Sequence, residues 1–221
     1  MKNNYKLFHG LAMIYVTMLL VSNTIAVKLI AFQGFVLPAG ILCFPVAYIF
    51  GDVLTEVYGY KKTKSIIWWG FACLALMSIF YYLAIITTPA SFWKKQEEFS
   101  QIFGIVPRIA LSSFIAYLVG SFLNAYIMSL LKVKTNGKHL WLRTISSTIV
   151  GEGADSVVFN LSAFLFVFPF NDVLYIAFSG FILKTLYEII ATPVTYIIVN
   201  KIKSIEHEDV YDKNISYNPF I

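Results

Sequence analysis

Charge is scarce in this chain of 221 residues, because Asp, Glu, Lys and Arg make up only 13% of it. Soluble domains usually carry about 25%. Hydrophobic residues make up 58% of the sequence, and the mean hydropathy is +0.72. This composition indicates an integral membrane protein with one transmembrane domain. The net charge of +5 does not indicate nucleic-acid binding, because the basic residues lie in short loops beside apolar stretches, where they set topology.

Cysteine and histidine are also rare. Cys43 and Cys73 both lie in apolar stretches, which argues against a disulfide framework or a thiolate metal motif. His9 lies near the start of the first apolar stretch, His139 in a loop and His207 in the tail. No Cys–His or Ser–His catalytic pair can therefore be assembled, and no metal, cofactor or catalytic residue is predicted. An intramembrane enzyme that relies on carboxylates alone remains an alternative.

Six apolar stretches are long enough to cross a bilayer, since about 20 helical residues span its hydrocarbon core. They cover residues 7–30, 35–57, 66–88, 109–131, 145–168 and 173–200. The predicted fold is an all-α integral membrane protein, in which residues 1–204 form a bundle of six transmembrane helices. Residues 205–221 form a polar cytoplasmic tail, expected to be a solvated extension. The loop at 89–108 mixes aromatic and charged residues and predicts a short interfacial helix.

Lysines and arginines cluster at one end of this predicted bundle. They lie at the amino terminus, in the loops after the second and fourth spans, and in the tail. The opposite side carries Lys94, Lys95 and Arg108. Because cytoplasmic loops carry the excess of positive charge, both termini are predicted to be cytoplasmic.

Five carboxylates and two lysines lie within the apolar stretches, although a charge near the bilayer centre costs at least ~2.5–3.5 kcal/mol on the insertion scale. Such residues usually face a cavity, a partner or a transported solute. They are Lys28, Asp52, Glu56, Glu152, Asp155, Lys184 and Glu188. Helix geometry predicts Lys28 and Glu56 near the membrane surfaces, and the other five in one layer from the cytoplasmic half to the centre.

Spacing along the helices relates these charges to each other. Lys184 and Glu188 lie four residues apart, so they can pair on one helix face. Glu152 and Asp155 lie three apart with like charge, which in a low dielectric needs a counter-charge, a proton or a bound cation. Lys184 is the expected counter-charge, but one lysine cannot neutralise every carboxylate. The layer thus has an excess of acid that a ligand rich in hydrogen-bond donors would meet.

Several segments of the chain resemble a known family. The second span and its loop read FPVAYIFGDVLTEVYGYKK, the fifth span opens VGEGADSVVF, the sixth reads LKTLYEIIATPVTY, and the tail contains YDKNISYNPF. In this order they are similar to the queuosine precursor transporter family, also called the vitamin uptake transporter family, of bacterial membrane proteins. The resemblance extends from SNTIAVK at Ser22–Lys28 to Phe220, which is nearly the whole chain.

This resemblance implies a transporter, and not an enzyme, in the bacterial cytoplasmic (inner) membrane. It would import precursors of the modified tRNA nucleoside queuosine: 7-cyano-7-deazaguanine, 7-aminomethyl-7-deazaguanine or queuine. The implied partners are a small deazapurine base and the lipid bilayer, without nucleic acid, and a homodimer is left open. A second interpretation is the substrate-binding subunit of an energised vitamin importer, which is also a small helical bundle.

A guanine-like base suits the acidic layer. Its N1–H and 2-amino groups are parallel donors that one carboxylate can accept together, as it does from arginine. Either Glu152 or Asp155 would take this pair, Lys184 or an asparagine would donate to the 6-carbonyl, and an aromatic side chain would stack on the ring. The predicted substrate-binding residues come from the second, fifth and sixth spans and are Asp52, Glu152, Asp155, Phe159, Asn160, Lys184, Tyr187 and Glu188.

Overall fold

The computed structural model describes residues 5–32, 35–104, 106–166 and 169–212. These residues form seven α helices, one two-stranded hairpin and one short 3-10 helix. In chain order they are α1 (Phe8–Ile25), β1 (Leu29–Phe32), β2 (Phe35–Pro38), the 3-10 helix (Ala39–Leu42), α2 (Phe44–Tyr58), α3 (Tyr60–Ile86), α4 (Gln96–Gly104), α5 (Val106–Lys134), α6 (Leu140–Phe164) and α7 (Phe170–Glu206). The predicted helical class is confirmed, as is a short helix, α4, in the 89–108 loop.

Four stretches of the described helices are long and apolar enough to cross a membrane: Phe8–Ile25, Tyr60–Ile86, Leu111–Lys134 and Phe170–Glu206. Two helices differ from them. α2 has 15 residues, or roughly 22 Å, which is shorter than the ~30 Å hydrocarbon core. α6 has 25 residues but carries buried charged side chains along its length. Together the long apolar helices identify a multi-pass membrane protein.

The predicted limits of the first two spans are wrong. α1 ends at Ile25, and the chain then forms an antiparallel hairpin in which Leu29 lies opposite Pro38. The 3-10 helix Ala39–Leu42 follows, and Pro45 lies in the first turn of α2. Proline is tolerated there because the N–H that it lacks would have no helical partner. Apolar content alone cannot separate a long helix from such a break.

Glycines set how closely α5 and α6 approach each other. A Cβ atom on Gly151 would lie 2.8 Å from the carbonyl oxygen of Gly120 and 2.9 Å from the Cβ of Asn124. Real Cβ atoms essentially never come so near, so the two backbones are in direct contact. This is a packing mode common between membrane helices. α6 runs through Gly151 and Gly153 as continuous helix, and Gly151 is the one of the two at which a side chain would collide with α5.

The described ends of the chain meet at one end of the bundle, which we call the terminal end. The backbone N–H groups of Lys6 and Leu7 donate hydrogen bonds of 3.0 and 2.5 Å to the Glu206 carboxylate. α7 itself continues to Glu206, so the predicted domain boundary at residue 204 falls inside its last turn.

The first residues of the predicted tail pack against the bundle. The N–H of Val210 donates to the carbonyl oxygen of Val57 at 3.2 Å. The Asp212 carboxylate accepts the N–H of Tyr60 at 2.8 Å and the hydroxyl of Ser129 at 2.5 Å. Asp212 is only 7% exposed. The expected solvated extension is therefore wrong for these residues, and the remainder, 213–221, lies outside the described residues.

Candidate functional site

Lys184 on α7 lies between two carboxylates of α6. Its Nζ atom is 2.8 Å from Oε2 of Glu152 and 2.8 Å from Oδ2 of Asp155. Residues three apart share one helix face, so both carboxylates reach the same ammonium group. Their side chains are 1% and 9% exposed, and that of Lys184 is 14% exposed. Lys184 is thus the counter-charge of the α6 acids, as predicted, through contacts across helices.

Glu188, one turn further along α7, faces a different helix. Its carboxyl group contacts that of Asp52 on α2, and the two residues are 2% and 0% exposed. On the other side of Asp52, the amide of Asn124 donates a 2.9 Å hydrogen bond to Oδ1. The pairing expected between Lys184 and Glu188 along one helix face is therefore replaced by contacts across helices.

Two cavities adjoin Lys184. Cavity A lies between α1, the hairpin, α5, α6 and α7 and encloses about 750 Å³ including its mouth. Cavity B lies between the hairpin, α2, α6 and α7 and encloses about 1060 Å³ including its mouth. Leu37, Ile41 and Lys184 line both cavities, so they form the wall between them.

The predicted site residues divide between these cavities. Asp155, Phe159 and Asn160 line cavity A with Lys184, whereas Glu152, Tyr187 and Glu188 line cavity B with it. Asp52 lines neither cavity but contacts Glu188. Tyr187 is 41% exposed, which places it at the edge of cavity B. Seven of the eight predicted residues thus line one of two adjoining cavities, and the eighth contacts a lining residue.

Other polar side chains of the cavities were not in the predicted set. Ser22 and Asn23 of α1 and Ser156 of α6 line cavity A, and Thr148 lines cavity B. The Thr148 hydroxyl is buried without a hydrogen-bond partner among the described residues, as is Oδ1 of Asn160. Thr148 lies four residues before Glu152, so helical spacing from that acid is the signal that could have found it.

A second group of buried charges lies at the terminal end. Oε1 of Glu56 is 2.7 Å from Nη2 of Arg143, 2.7 Å from Nζ of Lys203 and 3.7 Å from Nζ of Lys132. The Glu56 side chain is 0% exposed and that of Arg143 is 1% exposed. Glu56 is therefore enclosed within the protein by charged side chains of three other helices, while its depth near a membrane surface stays a prediction. Asp209 joins from the tail, at 2.6 Å from Lys132 and 2.9 Å from Lys203.

The environment of Asp209 perturbs its acidity. Partial burial would raise its pKa, but hydrogen bonds from Lys132 and Lys203 stabilise the carboxylate, and the net pKa lies below its usual value. Asp209 is therefore held as an anion by Lys132 and Lys203, which also form ion pairs with Glu56.

Long apolar helices, internal cavities and buried charges on the cavity walls define a membrane transporter by class. Within the described ranges, no three His, Cys, Asp or Glu side chains converge as a metal site. The chain belongs to the vitamin uptake transporter family, since its residues 38–198 match the family described as "Putative vitamin uptake transporter". The family is one of transporters and not of enzymes.

Two relatives are similar over most of their length. The "Probable queuosine precursor transporter" of Bacillus subtilis (strain 168) is 29% identical over 176 residues, which are 79% of this chain and 77% of the relative. The "Queuosine precursor transporter" of Escherichia coli (strain K12) is 24% identical over 160 residues, 72% of this chain and 70% of the relative. No solved structure matches the chain.

Proposed function

We propose that this protein imports queuosine precursors, which are 7-deazaguanine bases, across the bacterial inner membrane. The names of its relatives support the substrate class. The observation that carries the proposal is Lys184, which lies at 2.8 Å from both Glu152 and Asp155 in the wall between two cavities. A site with acceptors and a donor at this spacing suits a base that presents both.

In the proposed complex the base lies in cavity A. The Asp155 carboxylate accepts the N1–H and 2-amino donors, and the ammonium group of Lys184 donates to the 6-carbonyl. Phe159 offers a ring face for stacking, and Oδ1 of Asn160 offers a further acceptor. Candidate substrates are 7-cyano-7-deazaguanine, 7-aminomethyl-7-deazaguanine and queuine. The aminomethyl base carries a positive charge, which the second acid, Glu152, favours.

We further propose six membrane crossings with both termini in the cytoplasm. The hairpin, the 3-10 helix and α2 together make the second crossing, and α6 makes the fifth. The contact of Lys6 and Leu7 with Glu206 supports an even number of crossings, because it brings both ends of the described chain to one side. The excess of lysine and arginine near this end supports a cytoplasmic location.

Uptake of the three radiolabelled bases into proteoliposomes that contain only this protein tests the proposal. Asp155→Asn and Glu152→Gln should each reduce uptake at least ~30-fold, because removing one partner of a buried charge pair at a binding site costs about 2–5 kcal/mol of binding free energy. Asp172→Asn is the matched control, since Asp172 is an exposed acid in the first turn of α7. Normal uptake by both site variants would show that the assigned residues do not bind the base.

The same assay separates the rival functions. Uptake without any other protein supports a stand-alone carrier. Tight binding of a base without uptake would instead indicate the substrate-binding subunit of an energised importer, and no interaction with any of the three bases would refute the substrate class.

A further inference from the structure

The carboxyl pair of Asp52 and Glu188 lies apart from the ion pairs of Lys184. Asp52 on α2 and Glu188 on α7 contact each other and are 0% and 2% exposed. Among the described residues, no lysine, arginine or histidine lies within 4.0 Å of either carboxyl group; the ion pairs there join other acids. Two carboxylates in contact in a low dielectric cannot both stay ionised without a bound cation or a proton.

The surroundings of the pair leave room for one bound proton. Asn124 donates to Oδ1 of Asp52, a bond that this oxygen accepts whether or not Oδ2 carries a proton. Oδ2 of Asp52 and Oε1 of Glu188 are buried without a hydrogen-bond partner among the described residues. A carboxylic acid donates one hydrogen bond and a carboxylate accepts it. A single shared proton therefore converts two repelling anions into a hydrogen-bonded pair.

Other groups face the pair from every neighbouring element. Asp52 is also near Tyr15 of α1 and Glu56 of its own helix. Glu188 shares cavity B with three other ionisable residues: Tyr48 of α2, Glu152 of α6 and Lys184 of its own helix. The nearest cation, Lys184, is occupied by Glu152 and Asp155 at 2.8 Å. Glu188 lines cavity B, which gives the pair a route for exchange with water.

We propose that Asp52 and Glu188 form a proton-binding site, separate from the base site in cavity A, through which transport is coupled to a proton gradient. The inference rests on the proposed function for its transport cycle, but the proton site itself does not. A proton from water in cavity B protonates one carboxylate of the pair. After the cavity opens to the opposite side, the proton returns to water there, and the carboxylate is restored.

Two measurements test the inference. Infrared spectroscopy of the reconstituted protein should show the carbonyl stretch of a protonated carboxylic acid at pH 7, which shifts in D2O. The band should be lost in Asp52→Asn and in Glu188→Gln and retained in Asp172→Asn. Its absence from the unaltered protein would overturn the proposal, and this reading requires no variant and no substrate.

The second measurement uses radiolabelled 7-cyano-7-deazaguanine and an imposed gradient of one pH unit. With one proton per base, the unaltered protein should accumulate the base up to about tenfold, since one pH unit and a tenfold ratio are the same free energy. The two pair variants should no longer accumulate the base in response to the pH gradient, and accumulation that persists in both of them would overturn the assignment of the proton site. Accumulation that is equal with and without the pH gradient, or that a sodium gradient alone drives, would overturn the proposed proton coupling. If the base is not transported at all, the proposed function fails while the infrared band still decides the proton site.

Discussion

Glu56→Gln should destabilise the protein more than any surface change of the same kind. Oε1 of Glu56 is 2.7 Å from Arg143 and Lys203 and 3.7 Å from Lys132, and the side chain is 0% exposed. Removing its charge leaves three cations close together with only the partly exposed Asp209 as their anion. Breaking a buried ion pair by removing one partner costs about 3–5 kcal/mol.

This cost converts to a large shift in melting temperature. For chains of 150–250 residues, 1 kcal/mol corresponds to about 2–4 °C, so the expected drop is roughly 6–20 °C. The assay is thermal denaturation of the purified protein in detergent, at one fixed scan rate because membrane proteins often unfold irreversibly.

Glu98→Gln is the matched control for this experiment. Glu98 pairs with Lys95 at 3.2 Å on the surface, where their side chains are 53% and 71% exposed. An exposed pair contributes no more than about 1 kcal/mol, so this variant should melt within a few degrees of the unaltered protein. If Glu56→Gln and Glu98→Gln shift the melting temperature equally, the buried network does not stabilise the terminal end as argued.

Two further predictions concern packing and pH. Gly151→Ala should destabilise the protein by about 1–3 kcal/mol because its Cβ would overlap α5. Gly153→Ala, whose Cβ would lie 3.6 Å from the Phe181 ring, should be neutral or stabilising in thermal melts. Asp209→Asn should lower stability at pH 7 by no more than about 1 kcal/mol, since its side chain is 42% exposed. The pKa of Asp209 in the folded protein lies below its ordinary value. The stability lost in Asp209→Asn should therefore be greatest above pH ~3.9, the ordinary pKa of an aspartate. It should disappear as the pH falls through the folded-state pKa.

The outcomes that contradict these predictions are also measurable. Equal melting temperatures for the two glycine variants would mean that α5 and α6 are not in backbone contact at Gly151. A deficit of Asp209→Asn that is the same at pH 7 and at acidic pH would mean that the carboxylate is not held as an anion by Lys132 and Lys203.

Helical spacing predicted part of the site correctly and part of it wrongly. Glu152 and Asp155 could be placed on one face of α6 because three residues nearly complete a turn. The same rule placed Glu188 beside Lys184, but Glu188 contacts Asp52 instead. Spacing within a helix states which partners are in reach. It does not state which residue of another helix the same side chain will contact.

Apolar length had a similar limit. It predicted the long spans later found as α3, α5 and α7, each of which contains a long apolar stretch. The predicted first span merged α1 with the start of the hairpin. A pair of strands satisfies its own backbone hydrogen bonds and can therefore be as apolar as a helix. Glu56 shows the same limit, because its position along α2 did not reveal that Arg143, Lys132 and Lys203 enclose its side chain.

The sequence by itself determined the membrane class, the helical fold, the family and the layer of charged residues that it contains. The membrane class, the helical fold and the charged residues follow from composition and hydropathy along the chain, and the family follows from the resemblance of its sequence blocks. Only the tertiary structure decided that Lys184 lies between two cavities, that Asp52 and Glu188 face each other, and that Glu56 is enclosed by cations. Buried charges select partners by distances of a few ångströms between helices, and those distances exist only once the helices have packed.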